Sequence, residues 1–325
     1  MSKTIAKSHS YAEFWERNRK SGGHLLKRTI YDKGYKFIRF FLLFGMCFLI
    51  LQPILNKISI SFMAEEDLYN SMIVAIPEHF TTDNYKLAAQ FMTYSETLVN
   101  TFLISLTIAI LQVAMCTLVA YGFARFKFPF KNFWFACVIM IIVIPPQTLS
   151  TSLHLHFRYF DIFGIIEALT GQTINLRGSV LPYYLMSATC MGLKNGLYIF
   201  IFRQFFSGMP KELEESATLD GCTPMQTFYK IVLPLSKAAL ASIGLMFAVS
   251  YWNDYTNYKL YINKEMMYNF QMKLRSIMMG SDLPSANGSA TENTVQNAAV
   301  IVAILPFMIL YPFLQKYFVK GINIG

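Results

Sequence analysis

The chain has 325 residues, of which 54% are hydrophobic and only 14% charged. Soluble domains carry about 25% charged residues, and several apolar runs here reach the roughly 18–20 residues that cross hydrocarbon, so a water-soluble globular enzyme is excluded. The net charge of +9 sits on basic residues at the ends of apolar runs, which points to orientation in a bilayer and not to a nucleic-acid surface.

Residues 1–35 form a polar, basic N-terminal tail that is too long for a secretory leader. Within it, Tyr11, Phe14 and Trp15 fit either a short amphipathic helix on the headgroups or a disordered tail. A first span is expected at about 37–60, flanked by Lys36 and Arg39, which places the N-terminus inside. Residues 61–96 are poor in positive charge and read as an outer loop. The second span, about 98–123, runs into Arg125, Lys127 and Lys131, a basic cluster expected inside.

The third span, about 133–149, carries Pro145 and Pro146 near its outer end. Adjacent prolines remove two helix donors and should break the helix. Freed carbonyls survive in a membrane against protein or a water-filled cavity, so Pro145, Pro146 and Gln147 are candidates for the translocation path. A plain helix end at the lipid boundary is the competing reading. In the outer segment 150–180, His154 and His156 are two residues apart and would diverge on a helix, so no metal site is expected there. A fourth span within 181–206 has Lys194 near its middle. Either Lys194 lines the path, as intramembrane lysines do, or the helix starts later and Lys194 sits at its outer edge.

The stretch 207–237 reads as two short helices joined by a tight turn. Pro210 suits a first helical position, and Glu212, Glu214 and Glu215 favour the positive end of the helix dipole. Asp220 and Gly221 break the helix, with Gly221 able to adopt the left-handed conformation. Thr223 and Pro224 restart it as N-cap and first residue. Met225, Phe228, Ile231 and Val232 form a stripe that wants an apolar partner, and Pro234 is expected to end the element. A fifth span follows at about 238–253, closing in Trp252, Asn253, Asp254 and Tyr255. An aromatic beside hydrogen-bonding groups suits a sugar, and equally an interfacial anchor with a helix cap. Residues 256–295 read as outer and polar, with a flexible stretch around Pro284, Asn287 and Gly288. The last span, about 297–314, meets Lys316 and Lys320 inside.

The hairpin carries a resemblance. Glu215-Ser216-Ala217, then Asp220-Gly221, then Ile231-Val232-Leu233-Pro234 resemble the EAA loop of binding-protein-dependent ABC import permeases, with Ser216 in place of the first alanine. The segment from Pro77 to Tyr85, the Asn100-Thr101 start and Tyr121–Arg125 exit of the second span, the Trp252-Asn253-Asp254-Tyr255 group and the C-terminal tail are similar to the carbohydrate-type, MalG-like members. The resemblance covers roughly residues 77–325.

It implies an all-α, polytopic membrane bundle of about six helices with a cytoplasmic helix–turn–helix coupling loop. The implied division is a tail at 1–35, a first helix and outer loop at 36–96, a permease core at 97–320 containing the loop at 207–237, and a C-terminal tail at 321–325. It further implies a multi-pass protein of the bacterial cell membrane, both termini cytoplasmic, that forms one subunit of an importer. Its partners would be a second, related permease, two ATP-binding subunits on the loop, an external solute-binding protein and membrane lipid, with no nucleic acid and no cofactor. Glu215 is the expected charged contact to the ATPase, Phe228 and Ile231 the apolar docking residues, and Ala217 and Gly221 the positions of close helix approach. The expected cargo is a sugar or oligosaccharide; a polyol, glycerol phosphate or peptide is the alternative.

The residues themselves exclude other chemistry. The sequence has no phosphate-cradling G-x-x-x-x-G-K-[ST] and no nucleophile elbow or kinase signature, so no catalytic residue is expected and ATP hydrolysis must come from partner subunits. A secondary transporter would need intramembrane acids and repeats, which the apolar runs lack. The five cysteines, Cys47, Cys116, Cys137, Cys190 and Cys222, lie in or beside apolar runs without paired spacing and read as small hydrophobes.

Overall fold

The computed structural model describes residues 18–20, 22, 24–73, 76–192, 194–262, 264–280 and 291–322, side chains excepted at 25, 26, 28, 29 and 313–322. The Tyr11, Phe14 and Trp15 cluster, the stretch around Pro284–Gly288 and residues 323–325 lie outside these, as do the side chains of Lys316 and Lys320. The chain divides into two compact units, residues 1–60 and 61–325.

The first unit is built on helix α1, His24–Ser61. Its apolar part, Ile30–Ser61, has 32 residues; at 1.5 Å per residue that is roughly 48 Å, more than a bilayer core. Residues 24–35, expected in a polar tail, continue this helix, and Pro53 is accommodated inside it.

In the second unit two short helices, α2 (Glu65–Tyr69) and α3 (Asp83–Phe91), precede the long helix α4 (Tyr94–Arg125). The buried residues of α4 include Thr97, Thr101, Ser105, Ile108, Gln112, Cys116 and Ala120, spaced by three or four. Apart from Ile108 that stripe is small or polar, as suits helix contacts in lipid, where backbones approach closely and hydroxyls bond locally. Thr97, Thr101 and Thr117 donate to the carbonyls of Met92, Thr97 and Val113 at 2.5–2.6 Å.

Helix α5 (Lys131–Val143) stops before the two prolines, and α6 (Pro146–Arg158) restarts with Pro145 as its cap. The two meet at 102°, as the missing donors predict. After α7 (Ile165–Thr170) the expected fourth span proves discontinuous: α8 (Leu181–Ala188) and α9 (Asn195–Gly208) are separated by a break in which Cys190 and Lys194 take positive φ of 57° and 55°. Helices α10 (Glu212–Leu219) and α11 form the hairpin. Helix α11 starts at Pro224–Thr227, passes through a π turn at Phe228–Val232 and ends at Leu233–Leu235. Then come α12 (Lys237–Trp252), α13 (Thr256–Tyr261), a 3₁₀ turn at Glu265–Met267, α14 (Phe270–Met278) and α15 (Glu292–Ile322).

Among the described residues three continuous helices are long and apolar enough to cross a membrane, Ile30–Ser61, Tyr94–Arg125 and Glu292–Pro312. Counting the bent pairs α5–α6 and α11–α12 as one span each brings the number to 5. The expected fourth span, 181–206, reaches that length only as the broken pair α8–α9. The bundle is all-α, its β structure among described residues being two isolated bridges, Met63 with Phe80 and Phe160 with Ile174.

Helix α4 is the axis of the second unit, with α9, α12 and α8 packed along it. A larger core gathers Ile108, Tyr183, Tyr198, Phe202, Phe206, Phe228 and Phe247. A smaller one joins Ala88 and Met92 to Trp252, Phe270 and the alanines 298, 299 and 303 of α15. Within the second unit Asn84 of α3 is wholly buried: its Nδ2 donates to the carbonyls of Ser61 and Met63, and its Oδ1 accepts from Thr294 of α15. Tyr85 Oη lies 2.7 Å from Ser61 Oγ, and Phe80 stacks on Phe62. The Pro77–Tyr85 segment is thereby a structural clasp.

Candidate functional site: a hairpin and a cavity at opposite parts of the α4 axis

The hairpin is capped at each joint. Helix α10 opens with Glu212, Glu214 and Glu215 in its first turn, beginning two residues after Pro210. It closes in a Schellman motif: the Cys222 N–H donates to Ala217 O at 2.9 Å and the Gly221 N–H to Thr218 O at 3.0 Å, satisfying end carbonyls. Gly221 has φ 81°, and a Cβ there would meet nothing within 4 Å. Its glycine is needed for backbone conformation, not for the close helix approach the sequence suggested. Thr223 then forms a capping box with Gln226: Thr223 Oγ1 accepts from the Gln226 N–H, and Gln226 Oε1 from the Thr223 N–H.

Pro234 does not end α11. The π turn before it shifts the hydrogen-bond register, so the helix passes the residue that lacks an N–H and stops at Ser236; π turns absorb such defects. The chain then turns 79° into α12.

One face of the hairpin is tied to α4. Arg125 Nε donates to Glu214 Oε1 at 2.7 Å, Tyr121 Oη to Glu214 Oε2 at 3.1 Å, and an Arg125 terminal N–H to Met209 O at 2.9 Å. The side chains of Arg125 and Glu214 are 7% and 18% exposed, so the pair is largely withdrawn from water. Phe228 and Val232 are buried beside it, the Phe228 ring 4.8 Å from that of Tyr121. Phe228 therefore faces this chain's own core, which corrects its expected role as an outward docking residue. Ala217 is likewise buried, and Ile231 is half-buried. The other face holds Glu215, Ser216, Asp220, Gly221 and Pro234, all exposed, with Leu219, Met225 and Tyr229 as exposed apolar groups. At sequence level Glu214 has only a place at the positive end of the helix dipole; the signal for its pairing is Arg125 at the exit of the second span.

The second feature is a cavity of about 350 Å³ where both broken segments meet. Its walls include Pro146 and Ser150 of α6, Tyr183 and Met186 of α8, Lys194 at the head of α9, and Tyr251 of α12. Behind the wall Gln112 and Asn195, both fully buried, are hydrogen-bonded through Gln112 Nε2 and Asn195 Oδ1. Gly192 fits against this pair: a Cβ would stand 2.8 Å from Gln112 Nε2 and 2.9 Å from Tyr251 Oη. At Gly196 a Cβ would stand 2.8 Å from Val138 O, so α9 crosses α5 in backbone contact.

Of the path candidates, Pro146 and Lys194 line this cavity, while Pro145 and Gln147 are exposed outside its wall. Lys194 caps α9, the helix starting later than a continuous span would. Trp252 is buried in the smaller core, its ring 5.7 Å from that of Phe270; it does not line the cavity, because α14 and α15 cover it. Asn253 is exposed and accepts from Gln271. Asp254 is buried and accepts from Tyr183 Oη at 2.8 Å and from the Asn257 N–H at 3.1 Å, fastening the cavity wall to the start of α13.

Comparison with known proteins agrees with this architecture. The profile of the family described as "Binding-protein-dependent transport system inner membrane component" matches residues 115–324. Protein LplC of Bacillus subtilis is 29% identical over 308 residues, covering 93% of this chain and 97% of that protein. The polygalacturonan/rhamnogalacturonan transport system permease protein YtcP of the same organism is 30% identical over 281 residues, covering 84% and 91%. The arabinooligosaccharides transport system permease protein AraQ of Halalkalibacterium halodurans is 28% identical, covering 90% and 93%. A solved chain from a bacterial ABC transporter that imports the acidic polysaccharide alginate superposes with a TM-score of 0.69 at 19% identity, covering 88% of this chain and 97% of that one; this likeness speaks for the fold.

Proposed function

The chain belongs to the family of binding-protein-dependent transport system inner membrane components, and from that membership we propose that it is the membrane-spanning subunit of an ABC importer for a sugar or oligosaccharide. The family is a transporter component and not an enzyme, and its importers work in general with a partner permease, ATP-binding subunits and a solute-binding protein. The carbohydrate reading is supported by relatives named for the transport of polygalacturonan/rhamnogalacturonan and of arabinooligosaccharides.

The hairpin is the proposed docking element for an ATP-binding subunit, and the observation that carries this is its two-faced construction. One face is locked to α4 through Arg125–Glu214 and Phe228; the other offers Glu215 among exposed apolar groups. Movement imposed on the outer face passes to α4 and, past the bend at Ser236, to α12. Both helices reach the cavity region, through Gln112 and Tyr251, so rigid-body motion of the hairpin alternates its access. The same reading places the hairpin and both termini in the cytoplasm, in line with Arg125, Lys127, Lys131 and Arg203 at the hairpin end of the bundle.

The test is reconstitution with the partner permease, ATP-binding subunits and binding protein. Glu215→Lys and Gly221→Asp are expected to abolish saccharide-stimulated ATP hydrolysis while the permease still inserts. Full stimulation in both variants would refute the docking assignment.

A further inference from the structure

Resting on the importer reading, we propose that the cavity between α6, α8, α9 and α12 is a subsite for an anionic saccharide, with Lys194 as the residue that holds its carboxylate. Among the described residues Lys194 is the one lining residue with a charged side chain, and no Asp or Glu shares the wall. No carboxylate among the described residues pairs with Lys194, whose side chain is exposed.

The backbone around Lys194 reinforces the sign. The span breaks here, and the ammonium sits at the head of the 14-residue helix α9, whose first turn supplies Gly196 and Leu197 to the wall. A second broken segment, α6, also presents its starting residue Pro146 to the same space. Helix starts carry partial positive charge, and discontinuous spans in transporters turn such ends toward anionic groups at mid-membrane. Asp254, the nearby carboxylate, is buried behind Tyr183 and Asn257 and takes hydrogen bonds from both, so it is withdrawn from the lumen. Beside the neutral Ser150 and Asn257, the described lining residues give this wall one cation, two helix starts and no acid.

The test uses the complete reconstituted transporter with radiolabelled trigalacturonate and arabinotriose as probes, at low and high salt. Lys194→Asn removes the charge and suits the left-handed backbone; Lys194→Arg keeps the charge. Trigalacturonate uptake is expected to fall at least roughly tenfold in K194N, to persist in K194R, and to fall by more than any arabinotriose uptake does. Unchanged trigalacturonate uptake in K194N, or equal loss on both probes, overturns the proposal. Wild-type transporter that carries arabinotriose and refuses trigalacturonate overturns it while leaving the importer reading intact. Wild-type transporter that carries neither, despite assembling with its ATP-binding subunits, removes the carbohydrate reading and this inference with it.

Discussion

The hairpin and the cavity are built by opposite strategies. In the hairpin, the Schellman turn and the capping box join residues three to five positions apart, and one distant ion pair fixes the finished element to α4. The contacts that join separate elements around the cavity wall are instead distant ones: Gln112 with Asn195 and Tyr183 with Asp254 are 83 and 71 positions apart. A lever must keep its shape while its attachment carries load, so local caps suit it. A wall that alternates between two arrangements must depend on contacts between separate elements. The largest expected effect therefore lies at the attachment, where the two strategies meet.

Arg125→Ala would leave Glu214 largely buried without its partner, and breaking such a pair costs about 3 kcal/mol or more. A fall in the thermal midpoint of the purified complex, together with loss of stimulated ATP hydrolysis, is the expected result. Glu215→Ala, on the exposed face, should leave the midpoint unchanged and lower only the stimulated hydrolysis. If Glu215→Ala destabilised the fold as much as Arg125→Ala, the two-faced description of the hairpin would fail.

The wall is probed at Gly192. A methyl group there would press on Gln112 Nε2 and Tyr251 Oη, and overpacking of this kind costs about 1–3 kcal/mol. Because the contacts join α4, α12 and the α8–α9 break, Gly192→Ala should slow transport while ATP-binding subunits still dock, which co-purification reads directly. The hairpin counterpart is milder. Gly221→Ala places a Cβ in open space but in a left-handed conformation that costs about 1–2 kcal/mol. Thr223→Ala removes one cap at about 1 kcal/mol. Both should lower the thermal midpoint and leave docking in place; equal transport defects in all three variants would erase the contrast between lever and wall.

How much of this was legible in the sequence follows the same divide. Gly221, Thr223 and Pro224 announce the hairpin because capping chemistry is local, and Pro145–Pro146 announce the 102° bend for the same reason. The passage through Pro234 was not legible, since a π turn leaves no residue signature. Glu214 lay hidden beside Glu215 because its role depends on Arg125, 89 positions away. Trp252 suggested a sugar contact, yet only the packing of α14 and α15 decides that its ring is covered. The break at 189–194 lies in an apolar run in which hydropathy sees one span; the strained backbone at Cys190 and Lys194 is set by tertiary contacts at Gly192 and Gly196.

The smallest expected effect belongs to a third region, the clasp of Asp67 with His79 in the segment ahead of α4. Asp67 is buried; burial pushes its carboxyl up, but the His79 side chain and the N–H groups of His79 and Glu78 outweigh it and hold it below the usual value. The hydrogen bond to Asp67 raises His79 above the ordinary imidazole value. A raised histidine adds stability that is fully present below its unfolded value and is lost as pH climbs through the folded one. A depressed aspartate adds stability that is present above its unfolded value and is lost as pH drops through the folded one. The clasp is thus firmest in mildly acidic solution, between the two, and loosens on both sides. His79 is more than half exposed, so screening keeps its share small. His79→Gln should flatten the alkaline limb of thermal midpoint against pH and leave the acid limb, which Asp67 governs through its backbone donors. An unchanged alkaline limb would show that the imidazole carries no charge in this clasp.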